Sequence, residues 1–569
     1  MKRRFYHRLD FWFSVGMLLI GFIIRAHAIE ALPPFNDESL HIRRAEKILV
    51  ERNVSLTPFK LLTYYWIALF QPDRLVAIFV SRTAVGLFAL LGLAGTYATA
   101  RLVFGRWAGR IALVLAAFSP FMVFFDRLAL ADPLTAALGM LVVWMSVRMV
   151  RREDCGRWCP EALMVGMLGA LVVLAKTIGL PFLAMPAIAV LALGRGAWPA
   201  NRDWRTLRDW TVQRLRRYQG ALVTAYGAFV ACMVPFGLHV LERAIAGEPV
   251  MLVNNNLVLG LAENRPPHEV IFDNIATLWN VNWILHSPFL WLTMLLAAGL
   301  LFWRCPAKAA YLTSAVVLPW TMSILLGAEL STRYLTLGIL PLMVLLAGGL
   351  QVVGQQAIEI WGKQHSLRPL MVGIVVLWVG LFAVPFIENA WNEPTDLELP
   401  SRDQWEYFEN FSSGYGLVAA ADDLDELPSS EPSGRVNVFG MIGSCHQVRL
   451  YLGAAEADDD GPVWLTCPFF GWHGEYLMDV AADIQRRMAI ESQVYLLLEP
   501  EIPYFDTDKL KPLWQWQEIK RYRRPFDGME IVLYRITPIE NAAESSDNRA
   551  PSSESEYKPA ESYGDDIYN

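Results

Sequence analysis

The sequence predicts an α-helical polytopic membrane protein with a small α/β domain at its C-terminal end. Two observations point there. Of 569 residues, 54% are hydrophobic and only 18% are charged, against about 25% charged in ordinary soluble domains; the mean hydropathy is +0.31. The apolar residues also gather in long blocks over the first two thirds of the chain, whereas the last third alternates as a soluble domain does. The formal charge of −7 conceals basic loops near the N-terminus beneath an acidic C-terminal region. The Arg clusters lie beside apolar blocks, as positive residues do on the cytoplasmic side of a membrane. They do not suggest nucleic-acid binding.

A spanning helix needs about 20 mostly apolar residues. That requirement places eleven spans near 11–29, 75–103, 107–125, 132–149, 161–177, 179–194, 219–241, 287–303, 308–327, 333–350 and 369–387. Lys176 and Gly179 divide one apolar stretch into two helices with a tight turn between them. The first span follows a basic start and precedes Ala26-His27-Ala28, which looks like a cleavage site. Arg25 against that site and the many later spans favour a retained helix. With the N-terminus inside, Arg101, Arg106, Arg110, Arg148, Arg151, Arg152, Arg157, the run from Arg195 to Arg217, Arg304, Lys308, Lys363 and Arg368 all fall in inner loops. The positive-inside rule therefore predicts a cytoplasmic N-terminus and an extracytoplasmic C-terminal domain. Residues 201–218 set Trp204, Leu207, Trp210 and Leu215 among Arg residues, the pattern of an amphipathic helix lying on the inner surface.

The first outer loop, about 30–74, is patterned for helices at Glu38–Val50 and Phe59–Phe70. The loop at about 242–286 is Asn-rich and could fold over a site as a lid. Beyond Asn389, strands are expected at 436–439, 448–451, 463–465, 494–498 and 529–536, and helices at 401–411 and 474–490. The division is thus a transmembrane domain at 1–388, an α/β domain at 389–540, and an acidic tail at 541–569 too polar to order itself. The six cysteines lack four-ligand metal spacing. Cys155 and Cys159 are expected as reduced thiols in an inner loop, while the outer compartment permits a disulfide between Cys445 and Cys467.

Charges at span ends are costly and mark candidate function. Pro33-Pro34-Phe35-Asn36-Asp37-Glu38 sets two carboxylates just after the first span. They suit a general base and a neighbour, or simply a helix N-terminus. Asp126-Arg127 and Asp132-Pro133 follow at another span end, where Asp132 alone could be a helix cap. Lys176 could snorkel, and Lys60 lies in an aromatic stretch that fits an interfacial belt. Arg333-Tyr334 could meet lipid headgroups or clamp a phosphate. The loop charges put all of them on one face of the membrane. There, cations suit a leaving phosphate and a carboxylate suits deprotonation of a hydroxyl.

These motifs resemble those of the GT-C superfamily of membrane glycosyltransferases, in particular the protein O-mannosyltransferase and aminoarabinose transferase branch. Pro33 to Glu38 is similar to that branch's Pro-Pro-x-x-Asp-Glu signature, which implies Asp37 as base and Glu38 as its neighbour. Arg127 and Asp132 resemble its second acidic motif, with Asp126 beside them, and Lys176-x-x-Gly179-Leu180 resembles its Lys-x-x-Gly-Leu turn. Lys60 and Trp66 resemble a Lys-Pro-Pro-Leu-x-Tyr-Trp motif, although Leu61-Leu62 replace the prolines. Arg333-Tyr334 with Pro341 resembles the late Arg-Tyr motif. The resemblance implies a GT-C fold and transfer of a sugar from a polyprenyl-phosphate donor to a hydroxyl of a lipid, polysaccharide or protein, with inversion; the outer domain and the lack of an organelle signal point to a plasma (inner) membrane. Lys60, Lys176 and Arg333 would hold the phosphate, supported by Arg127, Asp126 and Tyr334. A divalent metal, magnesium or manganese, would draw on Asp37, Glu38 and Asp132. The alternative class is a flippase or transporter of a lipid-linked sugar. Transporters commonly carry internal repeats and midplane charges. Here no repeat is visible and, Arg82 apart, the charges sit at one edge.

Overall fold

The computed structural model describes residues 2–50, 60–72, 76–152, 159–196, 199, 203–246, 265–361, 367–427, 436–443, 445–452, 463–467, 477–490, 494–502 and 507–539. The expected tail, Cys155 and the middle of the expected lid lie outside them. In chain order the helices are α1 (Lys2–Ala26), α2 (Asn36–Val50), α3 (Leu61–Ala68), α4 (Ala77–Phe104), α5 (Arg106–Phe118), α6 (Pro120–Asp126), α7 (Ala131–Arg151) and α8 (Pro160–Ala175). A 3-10 segment, Thr177–Ala184, leads into α9 (Met185–Leu193). Then come α10 (Trp204–Arg217), α11 (Gln219–Ile245), α12 (Pro267–Leu285), α13 (Pro288–Arg304), α14 (Pro306–Leu326), α15 (Thr336–Trp361), α16 (Arg368–Trp378) and α17 (Val384–Asn392).

Local chemistry sets many of these boundaries. Proline, whose fixed φ suits a first turn, opens α6, α8, α12, α13 and α14. The side chains of Ser119 and Ser287 accept from Met122 and Leu290 N–H groups and cap α6 and α13. Gly105, at φ 105°, makes the turn between α4 and α5 in a backbone region that side chains avoid.

Among the described residues, seven helices are long and apolar enough to cross a membrane. Two bent pairs, α5 with α6 (55°) and α12 with α13 (115°), pass the same test together. Two shorter apolar helices cover 160–175 and 177–193. Each of the eleven expected spans coincides with one of these. The protein is thus a polytopic helical membrane protein with a small C-terminal sheet. The loop expected at 242–286 needs correction, because residues 267–285 form α12. Its Asn residues read as loop formers, yet Asn274 and Asn282 are buried and donate to backbone carbonyls.

By its contacts the chain divides into two compact units. The first comprises Met1–Ala31, Val54–Phe70 and Ser81–Pro400. Within it α7 and residues 332–356 are each 83% buried over their most apolar stretch, against 11% for α11. The former are therefore its centre and α11 its rim. The amphipathic segment forms α10. Its Arg214 donates to Leu191 and Gly196 carbonyls, stapling the helix to the end of α9.

The second unit comprises Leu32–Asn53, Gln71–Val80 and Ser401–Asn569, so it draws on the first loop as well as on the C-terminal region. It adds α18 (Ser401–Gln404), α19 (Leu417–Asp425), α20 (Cys445–Leu452), α21 (Leu477–Ile490) and strands β1 (Val436–Met441), β2 (Val463–Thr466), β3 (Val494–Leu498), β4 (Trp514–Tyr522) and β5 (Ile531–Pro538). The sheet order is β2-β1-β3-β5-β4. β1 runs parallel to β2 and β3, while β5 is antiparallel to β3 and β4. β1 and β3 are buried along their whole length, as strands covered on both faces are. One face packs on Leu417, Leu424 and Val448, and the other on Val480, Ile484 and Met488 of α21. The strand expected at 448–451 is instead part of α20, because four residues fit either period. β4 was not expected, being an edge strand mostly of Gln, Glu, Lys and Arg. Cys445 and Cys467 are joined by a disulfide, with Cα atoms 5.6 Å apart. Cys159 is also disulfide-bonded, correcting the expectation of a reduced thiol. That expectation rested on compartment alone, which does not decide whether two sulfurs lie within bonding reach.

Candidate active site

The first unit gathers several of the expected cations at span ends. Lys176 terminates α8, and its Nζ donates to both carboxylate oxygens of Asp132, at 2.8 and 2.9 Å. Both side chains are buried, at 6% and 1% exposure. Asp132 is not the cap of α7, a place taken by Leu130. Its carboxylate serves Lys176 instead. The same Nζ lies 4.4 Å from the centroid of the Tyr334 ring, and the Arg333 guanidinium lies 5.7 Å from it on the 3-10 turn Thr332–Leu335. Tyr334 thus sits between two cations, whose attraction to its face is strengthened by burial. Arg333 and Tyr334 are themselves buried.

Lys60 is buried at the N-terminus of α3. One turn along, the Thr63 hydroxyl donates to the carbonyl of Ala175, the residue before Lys176, at 3.2 Å. Trp66 donates to Ala84 O at 2.8 Å, so α3 is pinned at two points. The Lys176 turn depends on Gly179, whose N–H donates to Lys176 O at 3.0 Å. A Cβ there would run into the Val172 side chain and stand 3.0 Å from Thr135. The Lys-x-x-Gly spacing therefore reflects a close approach of backbone to α8. Asn274 of α12 was missed by sequence reasoning. It donates to Ile324 O and Gly327 O and accepts from Leu330 N–H, organising the turn that leads into Arg333. An Asn at a helix position in an apolar run is the signal that could have found it.

Asp126 and Arg127 are occupied differently. Asp126 accepts from Arg25 Nε at 2.8 Å, both side chains being buried. Arg127 donates to the carbonyls of Ile24, His27, Ala28 and Ala390 at 2.7–3.1 Å. Arg82 donates to Ile29 O at 2.7 Å. The three arginines hold the end of α1 and the chain just after it, where backbone carbonyls lack helical partners.

Asp37 and Glu38 belong to the second unit. Both lie in the first turn of α2, where carboxylates are favoured by the helix dipole. Glu38 is fully buried and its Oε1 accepts from the Phe35 N–H at 2.9 Å. It thereby fixes the turn that presents Asp37, which stays half-buried. Among the described residues no group of three His, Cys, Asp or Glu side chains could hold a metal ion. Of the expected ligands, Asp132 accepts from Lys176 on both oxygens and Glu38 accepts from the Phe35 N–H.

No family and no curated protein matches the sequence. Among solved structures, ArnT from Cupriavidus metallidurans in the apo state is similar with a TM-score of 0.50 at 14% identity, over 94% of this chain and 98% of that one. ArnT from the same organism bound to undecaprenyl phosphate gives 0.49 at 13%, over 95% and 99%. AglB, an oligosaccharyltransferase from Archaeoglobus fulgidus in complex with an inhibitory peptide and a dolichol-phosphate, gives 0.48 at 12%, over 94% and 75%. Identity this low speaks for the fold alone. The chain is therefore built on the GT-C fold that its motifs led us to expect.

Proposed function

We propose that this chain is an integral membrane glycosyltransferase. It moves a sugar from a polyprenyl-phosphate donor to a hydroxyl acceptor on a lipid, polysaccharide or protein. The observation that carries the reading is the buried set of Lys176, Asp132, Tyr334 and Arg333 at span ends, with Thr63 of α3, one turn after the buried Lys60, donating to Ala175 O beside Lys176. Buried cations in a membrane protein demand an anionic partner. Lys176 has one in Asp132. Arg333 and Lys60 add further buried positive charge, which suits a lipid phosphate. The GT-C fold supports the same assignment.

The reaction is a direct displacement with inversion. Asp37 takes the proton of the acceptor hydroxyl, whose oxygen attacks the anomeric carbon. The bond from that carbon to the phosphate oxygen breaks, and its electron pair leaves with the polyprenyl phosphate. Lys60, Lys176 and Arg333 stabilise the dianion. Asp132 holds Lys176 in place. Asp126 pairs with Arg25 and Arg127 holds backbone carbonyls, so both support the fold rather than touch sugar. The basic loops support an N-terminus in the cytoplasm and an extracytoplasmic C-terminal unit, in a plasma membrane.

The test is protein purified into nanodiscs with undecaprenyl phosphate carrying mannose, glucose or 4-amino-4-deoxyarabinose, together with an envelope extract as acceptor. Release of undecaprenyl phosphate, read by mass spectrometry and abolished in Asp37→Asn, is expected. Movement of the lipid-linked sugar between leaflets with no such release would instead establish transport.

A further inference from the structure

Unit two contains a contact that the transfer mechanism has not used. Pro33 to Glu38 is gripped by residues from the far end of the chain. Gln447 on α20 is fully buried. Its Nε2 donates to Pro34 O at 2.6 Å and to Ser412 O at 2.9 Å. The same Ser412 carbonyl accepts from the Asn36 N–H at 3.0 Å, so Gln447 and Asn36 converge on one oxygen. The Phe35 and Tyr407 rings pack with centroids 4.7 Å apart. Gly414 closes the grip, since a Cβ there would stand 2.6 Å from Pro34 O and 2.9 Å from Pro33 Cβ.

The gripping loop is itself held. Ser412 N–H donates to Asn410 Oδ1 at 2.8 Å, Ser413 Oγ to Tyr407 O at 2.9 Å, and Arg524 to Ser413 O. α20 is anchored at its first residue by the Cys445–Cys467 disulfide. A carbonyl just before a helix points its dipole where the first turn must start, so a donor placed on it fixes that helix's direction. An amide NH2 carries two N–H donors and so can bond two carbonyls at once.

We propose that Gln447 is a positioning residue for the Asp37 carboxylate, and that the C-terminal α/β unit serves transfer by holding the base. This rests on Asp37 being the base, as argued above. A role in folding alone would leave the rate per folded enzyme unchanged. Positioning predicts a lower kcat with an unchanged KM for the donor, because Lys60, Lys176 and Arg333 belong to the other unit.

The experiment uses the full chain in nanodiscs, with Gln447→Met, which keeps the volume and removes both N–H donors, and Gly414→Ala, which pushes on Pro34. Two readouts are taken. Hydrogen exchange at the Phe35 and Asn36 amides is expected to quicken at least tenfold in Gln447→Met. With the undecaprenyl phosphate sugar that the wild type consumes, kcat is expected to fall at least tenfold while KM stays within twofold. Should Gln447→Met fail to fold, Gly414→Ala gives the same readouts. Unchanged exchange, or a kcat within twofold of wild type in folded variants, overturns the proposal. Asp37→Asn separates the two ideas. If it remains active, the base assignment fails while the exchange result still decides whether the grip exists. If it is dead and Gln447→Met is normal, only the positioning role fails.

Discussion

Removing the Asp132 carboxylate should strand a charge. In Asp132→Asn the Lys176 ammonium stays at 6% exposure with its partner gone. Breaking one side of a buried pair costs about 3–5 kcal/mol, chiefly because the other charge remains desolvated. The Tyr334 ring, 4.4 Å away, is attractive by up to about 2 kcal/mol when desolvated and keeps the loss near the low end. We expect a destabilisation of about 3 kcal/mol, roughly a hundredfold in the unfolding equilibrium. Lys176→Met alone leaves Asp132 uncompensated and should cost a similar amount. The double variant Asp132→Asn/Lys176→Met removes both charges and should return to within about 1 kcal/mol of wild type, since apolar replacement of a buried pair is often neutral. The assay is a double-mutant cycle by steric trapping in bicelles, with a coupling energy of about 2 kcal/mol or more expected. Additive losses, or a single-variant cost under about 1 kcal/mol, would refute the idea that these two groups form a coupled buried pair.

Other outcomes follow from the same geometry. Arg333→Ala should raise KM for the lipid-phosphate donor at least tenfold with a smaller change in kcat, read by steady-state release of undecaprenyl phosphate. Arg127→Ala removes donors from four carbonyls and should lower stability by about 2–4 kcal/mol, leaving the donor KM of the folded fraction unchanged. Replacing Cys445 and Cys467 by Ser opens a loop with a sequence separation of 22 and should cost about 3 kcal/mol, measured by thermal unfolding of the second unit. His446 is held down to about 3 by burial, reinforced by Arg449, Arg43, Lys47 and Arg44; its Nδ1 is shielded without a partner. The unfolded chain therefore binds this proton first. Its stabilising contribution is complete above about pH 6.5 and declines as pH falls toward 3, by up to about 2 kcal/mol at pH 5. His446→Phe should flatten that slope in a pH series of unfolding midpoints.

The spans were legible because hydrocarbon thickness fixes length and apolarity together, and Lys176 with Gly179 divided residues 161–194 where α8 ends. The motif residues could be picked out because charge at a membrane edge is too costly to be incidental. Their partners could not. Nothing in the spacing of Asp132 and Lys176 announces a mutual ion pair, nor does Arg127 announce that its donors go to backbone. Those facts depend on helix packing. Asn274 was hidden because an Asn-rich stretch reads as loop until its side chain is seen to satisfy a distant turn. β4 was hidden because an edge strand needs no apolar alternation, and α20 because Val448 and Leu450 alone cannot separate a period of 2 from one of 3.6.

The second unit joins residues 32–53 to residues after 401, and this has a bearing on biogenesis. A ribosome finishes α2 long before it begins α20. Until α20 is made, the loop bearing Asp37 has no Gln447 to rest on, and Ile42 lacks Leu450, with which it shares a core. A chain cut short after its spans would insert into the bilayer and keep Lys176 and Arg333, yet its carboxylate would swing loose. On the proposed function, such a fragment would hold lipid phosphate with no means of turning it over. Nascent copies would in this way stay inert until translation is complete.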